Sequence, residues 1–160
     1  MAIAKRLKDF LKKNGIKYDI EKHREIFTAQ QVAASEHITG YKFAKVVILK
    51  CDNEMVMAVI PAPHEVSIKK MKALGYKKVE LAPEKEFESL FPDCDPGATP
   101  PFGNLYNLTF YVDKSFKGEE EIVFNSGTHT ETVKIRMEDY DRLVGKDVYA
   151  DISNPPAGKL

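Results

Sequence analysis

Apolar residues recur at Ile3, Leu7, Phe10 and Leu11, the spacing of one helix face, and Gly15 then offers a left-handed cap. Together they predict an amphipathic helix over residues 2–14. Tyr18 and Ile20 alternate with charged residues, as a short strand would. Thr28-Ala-Gln-Gln31 has capping-box spacing ahead of a second short helix carrying Val32 and Ala33, and a segment near residues 37–41 turns the chain. The apolar runs Val46-Val-Ile-Leu49 and Met55-Val-Met-Ala-Val-Ile60 flank the polar Cys51-Asp-Asn-Glu54. Two β-branched runs about so short a connection predict a buried hairpin.

Pro61 and Pro63 end the second of these strands, and Ser67 is placed to cap a short helix with Ile68, Met71 and Leu74 on its apolar side, closed by Gly75. Val79 and Leu81 predict another short strand, and Pro83 the first turn of an acidic helix ending at Leu90 and Phe91. Residues 93–104 hold three prolines and two glycines, which neither a helix nor a central strand accepts, so this stretch is expected to be a structured loop. Strands follow over residues 108–112, 121–125 and 131–135, with Gly127 in the turn between the last two. A last helix over 138–144 is capped by Gly145, a closing strand lies near Val148, and the chain from Asn154 onward is expected to fray. The pattern predicts one mixed α/β domain over residues 1–152, followed by a tail over 153–160.

Composition narrows the function. The chain has 160 residues, 43% hydrophobic and 30% charged, enough apolar material for a core and too little bias for disorder. Its longest apolar runs fall far short of the about 20 residues needed to span a bilayer. Charges at Lys5, Arg6 and Lys8 interrupt the place of a secretory signal, so a cytoplasmic protein without a membrane partner is expected. Cys51 and Cys94 are too far apart for a CxxC motif, and no histidine stands at ligand spacing beside either, which speaks against a disulfide scaffold and a bound metal. With 24 basic and 24 acidic side chains the net charge is zero, which removes the bulk case for a DNA or general nucleic-acid coat. Two lysine-rich stretches remain, residues 5–17 and 69–78, either a solvated face or a contact for phosphates.

Three places invite a chemical reading. Lys45 stands immediately before the most apolar strand; such a lysine ordinarily extends to water, but at a pocket mouth its cation could bind a phosphate or polarise a carbonyl. Gly97-Ala-Thr-Pro-Pro101-Phe102-Gly103 is either a rigid connection or a stiff loop that presents N–H and C=O groups to a ligand. Ser126-Gly127-Thr128-His129 would set an imidazole in a turn, as a structural residue or a site residue. There is no G-x-S-x-G elbow, P-loop, Rossmann fingerprint or H-E-x-x-H, and His23, His37 and His64 show no ligand spacing.

Taken in order, Phe43-Ala-Lys45-Val-Val-Ile-Leu49, Gly97-x-x-x-Pro101-x-Gly103 and Gly127-Thr128-His129 resemble the YbaK-like family: the editing domain of bacterial prolyl-tRNA synthetase and its free-standing aminoacyl-tRNA deacylase relatives. The resemblance spans roughly residues 3–150. It implies a compact domain whose mixed, partly barrel-like sheet is flanked by helices, and trans-editing hydrolysis of the ester that joins a small, wrongly attached amino acid to transfer RNA, with no metal or other cofactor. On this chain it makes Lys45, Gly97 and His129 the catalytic residues, with Pro101, Phe102, Gly103, Gly127, Thr128 and His23 binding substrate. The implied partners are the aminoacyl-tRNA acceptor end and an aminoacyl-tRNA synthetase. Alanine-specific relatives carry Asn after the lysine and His-Pro-Pro upstream, where this chain has Val46 and His23-Arg24-Glu25. Cysteine-specific relatives generally lack a histidine at the position of His129. Two alternatives stand beside this reading, a silent module of the same fold that binds transfer RNA or a synthetase, and a hydrolase of small metabolite esters; without the resemblance the residues support a mixed α/β domain with a candidate pocket.

Overall fold

The computed structural model describes residues 4–22 and 40–156; the helix expected near Thr28, the turn at His37, and His23 lie outside the described residues. The elements, in chain order, are α1 (Lys5–Lys13), β1 (Asp19–Lys22), β2 (Phe43–Cys51), β3 (Glu54–Pro61), β4 (Glu65–Val66), α2 (Ile68–Lys72), β5 (Val79–Leu81), α3 (Glu84–Phe87), β6 (Thr109–Asp113), β7 (Glu121–Asn125), β8 (Glu131–Arg136), α4 (Met137–Val144), β9 (Tyr149–Ala150) and β10 (Ser153–Asn154). An eight-stranded mixed sheet runs β1-β8-β7-β2-β3-β6-β9, with β5 paired to the end of β2, and β4 with β10 forms a separate two-stranded sheet. This is the mixed α/β architecture that the sequence predicts.

The hairpin is its spine. β2 and β3 pair antiparallel from Ala44↔Pro61 to Cys51↔Glu54, and the remaining sheet grows outward by parallel pairing of β2 with β7 and of β3 with β6. Alternation explains why both strands are apolar almost throughout. Met57 and Val59 face the main core, with Ala44 and Ile48, whereas Val56, Ala58 and Ile60 face a second cluster, with Leu49, Met71 and Ile152. A strand covered on both faces needs apolar residues at consecutive positions. α1 and α4 close the main core with Leu7, Leu11, Met137 and Tyr140. α2 is capped as expected, the Ser67 hydroxyl accepting from the Lys70 amide at 3.1 Å, and its Met71 fills the second cluster.

Three expectations change. The acidic helix is short: after α3 the chain tightens into a 3₁₀ turn over Glu88–Leu90, as Phe91 swings into the core and meets Phe87 edge-on at 6.3 Å. β1 begins after Tyr18 rather than including it: its four positions are all exposed, and Tyr18, just before it, packs against the core. The expected tail from residue 153 begins as a strand. Ser153 and Asn154 pair with Val66 and Glu65, and long-range polar bonds hold them there. The Ile152 amide donates to Asp113 Oδ1 (3.1 Å), Lys70 Nζ donates to the Ser153 carbonyl (2.8 Å), and the Ser153 hydroxyl meets His64 Nδ1 (2.7 Å).

Candidate functional site

The glycine-proline loop and the Ser126–His129 turn are stitched together by backbone bonds. The Asp95 amide donates to the Gly127 carbonyl (2.8 Å), and the Gly127 amide donates to the Ala98 carbonyl (2.9 Å). Gly97 and Gly127 both take positive φ, +82° and +106°, which side-chain-bearing residues rarely adopt. Gly127 is also required by packing: a Cβ there would lie 2.8 Å from the Ala4 Cβ, because the start of α1 docks on the turn through an Ala4 amide bond to the Ser126 carbonyl (2.9 Å).

His129 joins loop to turn through its side chain. It is 7% exposed, and its Nε2 lies 2.5 Å from the Pro96 carbonyl oxygen. A carbonyl only accepts, so Nε2 carries the proton and this tautomer is fixed by the loop. The imidazole runs alongside Gly97, whose missing Cβ would sit 3.5 Å from His129 Cε1. Thr128 is buried in the same turn and contacts the Thr130 hydroxyl at 3.4 Å.

The far end of the loop is sunk into the core. Phe102 has no exposed surface and makes ring contacts with Phe10, Phe124 and Tyr140, and the buried Tyr140 hydroxyl donates to the Pro101 carbonyl at 2.7 Å. Gly103 is likewise buried. A Cβ on it would meet the Phe110 ring at 2.5 Å. Phe102 and Gly103, expected to bind substrate, are thus placed in packing beneath the loop, and Pro101 turns its carbonyl inward to Tyr140. Arg6 of α1 fastens the rest: it donates to the Leu105 carbonyl (3.1 Å), lies over the Tyr106 ring, and stands 3.7 Å from Asp93. Burial pushes the neighbouring Cys94 thiol up to about 12, which leaves it un-ionised and a poor nucleophile.

Lys45 reaches the same end of the sheet through β2. The parallel register Phe43↔Val123 and Ala44↔Phe124 sets it beside the end of β7, just before the turn. It is half-buried, and desolvation holds its ammonium below the usual lysine range, with Glu65 partly opposing. His64 belongs to this neighbourhood, although its spacing in the sequence gave no sign of it. Its Nδ1 meets the Ser153 hydroxyl and its ring stands edge-on to Tyr41 at 5.8 Å. Burial holds His64 below the usual imidazole range; Asp113 opposes this, while Lys45 and Lys70 add to it. The hairpin register brings it there, since His64 follows by four residues Ile60, the cross-strand partner of Lys45.

This arrangement offers a partly desolvated cation, a stiff loop with a left-handed glycine, and a buried imidazole of fixed tautomer. A partly desolvated cation of this kind is chemically suited to hold a carbonyl or phosphate. A groove of about 670 Å³ lies at the opposite end of β7, where five carboxylates, Glu119, Glu120, Glu121, Glu138 and Asp141, outnumber Lys117 and Arg136 and disfavour an anionic ligand. Among the described residues no group of His, Cys, Asp or Glu is placed to hold a metal, and no helix is long and apolar enough to cross a membrane.

The sequence matches the aminoacyl-tRNA editing domain over residues 23–143. No curated protein matches it. The crystal structure of a hypothetical protein superposes with a TM-score of 0.83 at 21% identity, covering 94% of this chain and 100% of that one. A candidate trans-editing enzyme for prolyl tRNA synthetase superposes with a TM-score of 0.79 at 19% identity, covering 94% and 96%. At these identities the likeness is one of fold.

Proposed function

The chain belongs to the aminoacyl-tRNA editing domain family, and we propose that it acts in trans to hydrolyse the ester linking a small, wrongly attached amino acid to transfer RNA. The observation that carries this reading is Lys45, a half-buried cation at the sheet end where the Gly97 loop is tied to the His129 turn. An aminoacyl ester is already activated, so no protein nucleophile is needed. Water adds to the ester carbon, the carbonyl oxygen gains charge, the bond to the ribose oxygen breaks, and the proton released by the water ends on that oxygen. Lys45 donates to the carbonyl or to the phosphate of the terminal nucleotide, lowering the cost of the developing charge. The backbone around Gly97 receives the amino-acid end where a side chain would intrude, and His129 lines the pocket while holding Pro96 in place. The neighbouring ribose hydroxyl of the substrate orients the water, as the family resemblance implies.

Such an enzyme answers a binding limit. A synthetase pocket rejects a near-isosteric amino acid by only about 10- to 200-fold, and a second hydrolytic site supplies the remainder. The test is deacylation of transfer RNAs charged in turn with alanine, cysteine, serine, threonine and proline. Lys45→Ala is expected to slow hydrolysis of the preferred ester by about 100-fold or more with the fold intact. Near-native turnover by that variant would remove Lys45 from the mechanism. Salt-sensitive RNA binding by native protein that cleaves none of the five would replace the enzyme with a binding module.

A further inference from the structure

Asn125 is the least explained polar residue near Lys45. It ends β7, directly before the Ser126–His129 turn. Ala44↔Phe124 is the last parallel pair of β2 with β7, so Lys45 and Asn125 are the next opposed positions. Strand alternation sends both side chains to the face shared by Phe43 and Val123, away from the main core that holds Ala44 and Phe124. Asn125 is 8% exposed, and its Oδ1 is closed to solvent with no hydrogen-bond partner. Two other buried oxygens among the described residues share that condition, and both differ in setting. Asp93 Oδ2 faces Arg6 in the loop, and Glu131 Oε2 lies on a residue that alternates with Val133 and Ile135 of the main core. Asn125 holds the orphaned oxygen on the Lys45 face.

A buried acceptor without a donor costs stability, and an apolar residue would avoid that cost. The donor it lacks is one that a ligand can bring. Lys45 is donor-only and positively charged, so it can hold the ester carbonyl or a phosphate but repels the α-ammonium beside that carbonyl. An aminoacyl ester therefore needs an acceptor of its own close to Lys45. A carboxamide suits this, because it accepts without forming an ion pair with the lysine, and its broad, two-fold χ2 lets it turn towards the ligand at low cost. Building on the deacylase reading, we propose that Asn125 accepts a hydrogen bond from the α-ammonium of the aminoacyl group, orienting the ester against Lys45 and selecting esters whose amine is free.

The experiment compares aminoacyl-tRNA with the same RNA whose amino acid is N-acetylated, using native protein, Asn125→Leu, Asn125→Ala and Asn125→Asp, with thermal unfolding of each. Native protein is expected to prefer the free amine, and Asn125→Leu to lower that preference roughly tenfold to a hundredfold, the range for losing a hydrogen bond to a charged group. Asn125→Leu is also expected to melt higher than native protein, since the orphaned acceptor is gone, and Asn125→Asp, which still accepts, is expected to keep a preference for the free amine but to cleave more slowly, because its carboxylate pairs with Lys45. Asn125→Ala, which adds no bulk, carries the same expectation for preference should the leucine variant not fold. Equal losses on both esters, or lower melting in Asn125→Leu with preference unchanged, would make the carboxamide structural and overturn the proposal. Failure of native protein to cleave either ester would instead defeat the deacylase reading beneath it.

Discussion

The two ends of the glycine-proline loop are held by different physics. From Pro101 to Leu105 the chain is a packed element: Phe102 is wholly buried, Tyr140 takes up the Pro101 carbonyl, and Gly103 is glycine because the Phe110 ring fills the place of a Cβ. From Asp95 to Thr99 the loop is held by hydrogen bonds to the turn and to His129, and Gly97 has open room, with ordinary contact distance to the nearest side chain. One end anchors and the other presents. Glycines six residues apart thus answer to separate constraints, Gly103 to packing and Gly97 to its left-handed backbone, which on the proposed reading leaves the loop open to a ligand.

That contrast can be broken most forcefully at the anchored end. Gly103→Val drives a branched side chain into an aromatic ring that lies on the core, and overpacking of this kind costs about 1–3 kcal/mol or more. Thermal unfolding is expected to drop by many degrees, with whatever fraction remains folded cleaving ester at a near-native rate per molecule. A variant that melts like native protein would show that Phe110 yields easily and that the anchor is soft.

Gly97→Val probes the presenting end. Its φ of +82° is strained for a β-branched residue by about 1–3 kcal/mol, but an added Cβ meets only the His129 ring, at an ordinary contact distance of 3.5 Å. A smaller loss of stability than at Gly103 is expected, together with a loss of turnover at least tenfold greater than the unfolded fraction explains. Turnover that merely follows the folded fraction would make Gly97 a second structural glycine and erase the difference between the two ends.

The same division decides what could be read from the chain. The hairpin was legible because both of its faces are buried, so its signal sits in consecutive residues; α1 and α2 were legible from the cap signals at Gly15 and Ser67. The loop announced itself by its prolines and glycines, yet nothing local told Gly103 from Gly97, because Phe110, which fixes the difference, comes from another strand. β10 escaped notice for the same reason. Asn154-Pro-Pro reads as a tail, while the bonds from His64, Lys70 and Asp113 that hold this stretch come from 39 to 89 residues away. Asn125 reads as an ordinary strand end until the pairing of β2 with β7 sets it beside Lys45.

The finest test turns on charge at Lys45. Desolvation lowers its pKa, so between the folded and unfolded values the unfolded chain binds more protons than the folded one. Stability should therefore rise with pH across that window, as the buried charge is relieved. Catalysis by a cation has the opposite slope: kcat/KM, corrected for spontaneous ester hydrolysis, should fall as pH climbs through the lowered pKa, earlier than an ordinary lysine would allow. Opposed slopes from one residue would tie the cost of burying the cation to its use, as expected where a site gives up stability for function. Lys45→Arg keeps its charge throughout this range. Its rate should be lower but free of the alkaline fall, a change of only a few-fold near neutrality that grows as the pH is raised. An alkaline fall that persists unchanged in the arginine variant would assign the titration to another group and leave Lys45 a binder of phosphate by geometry alone.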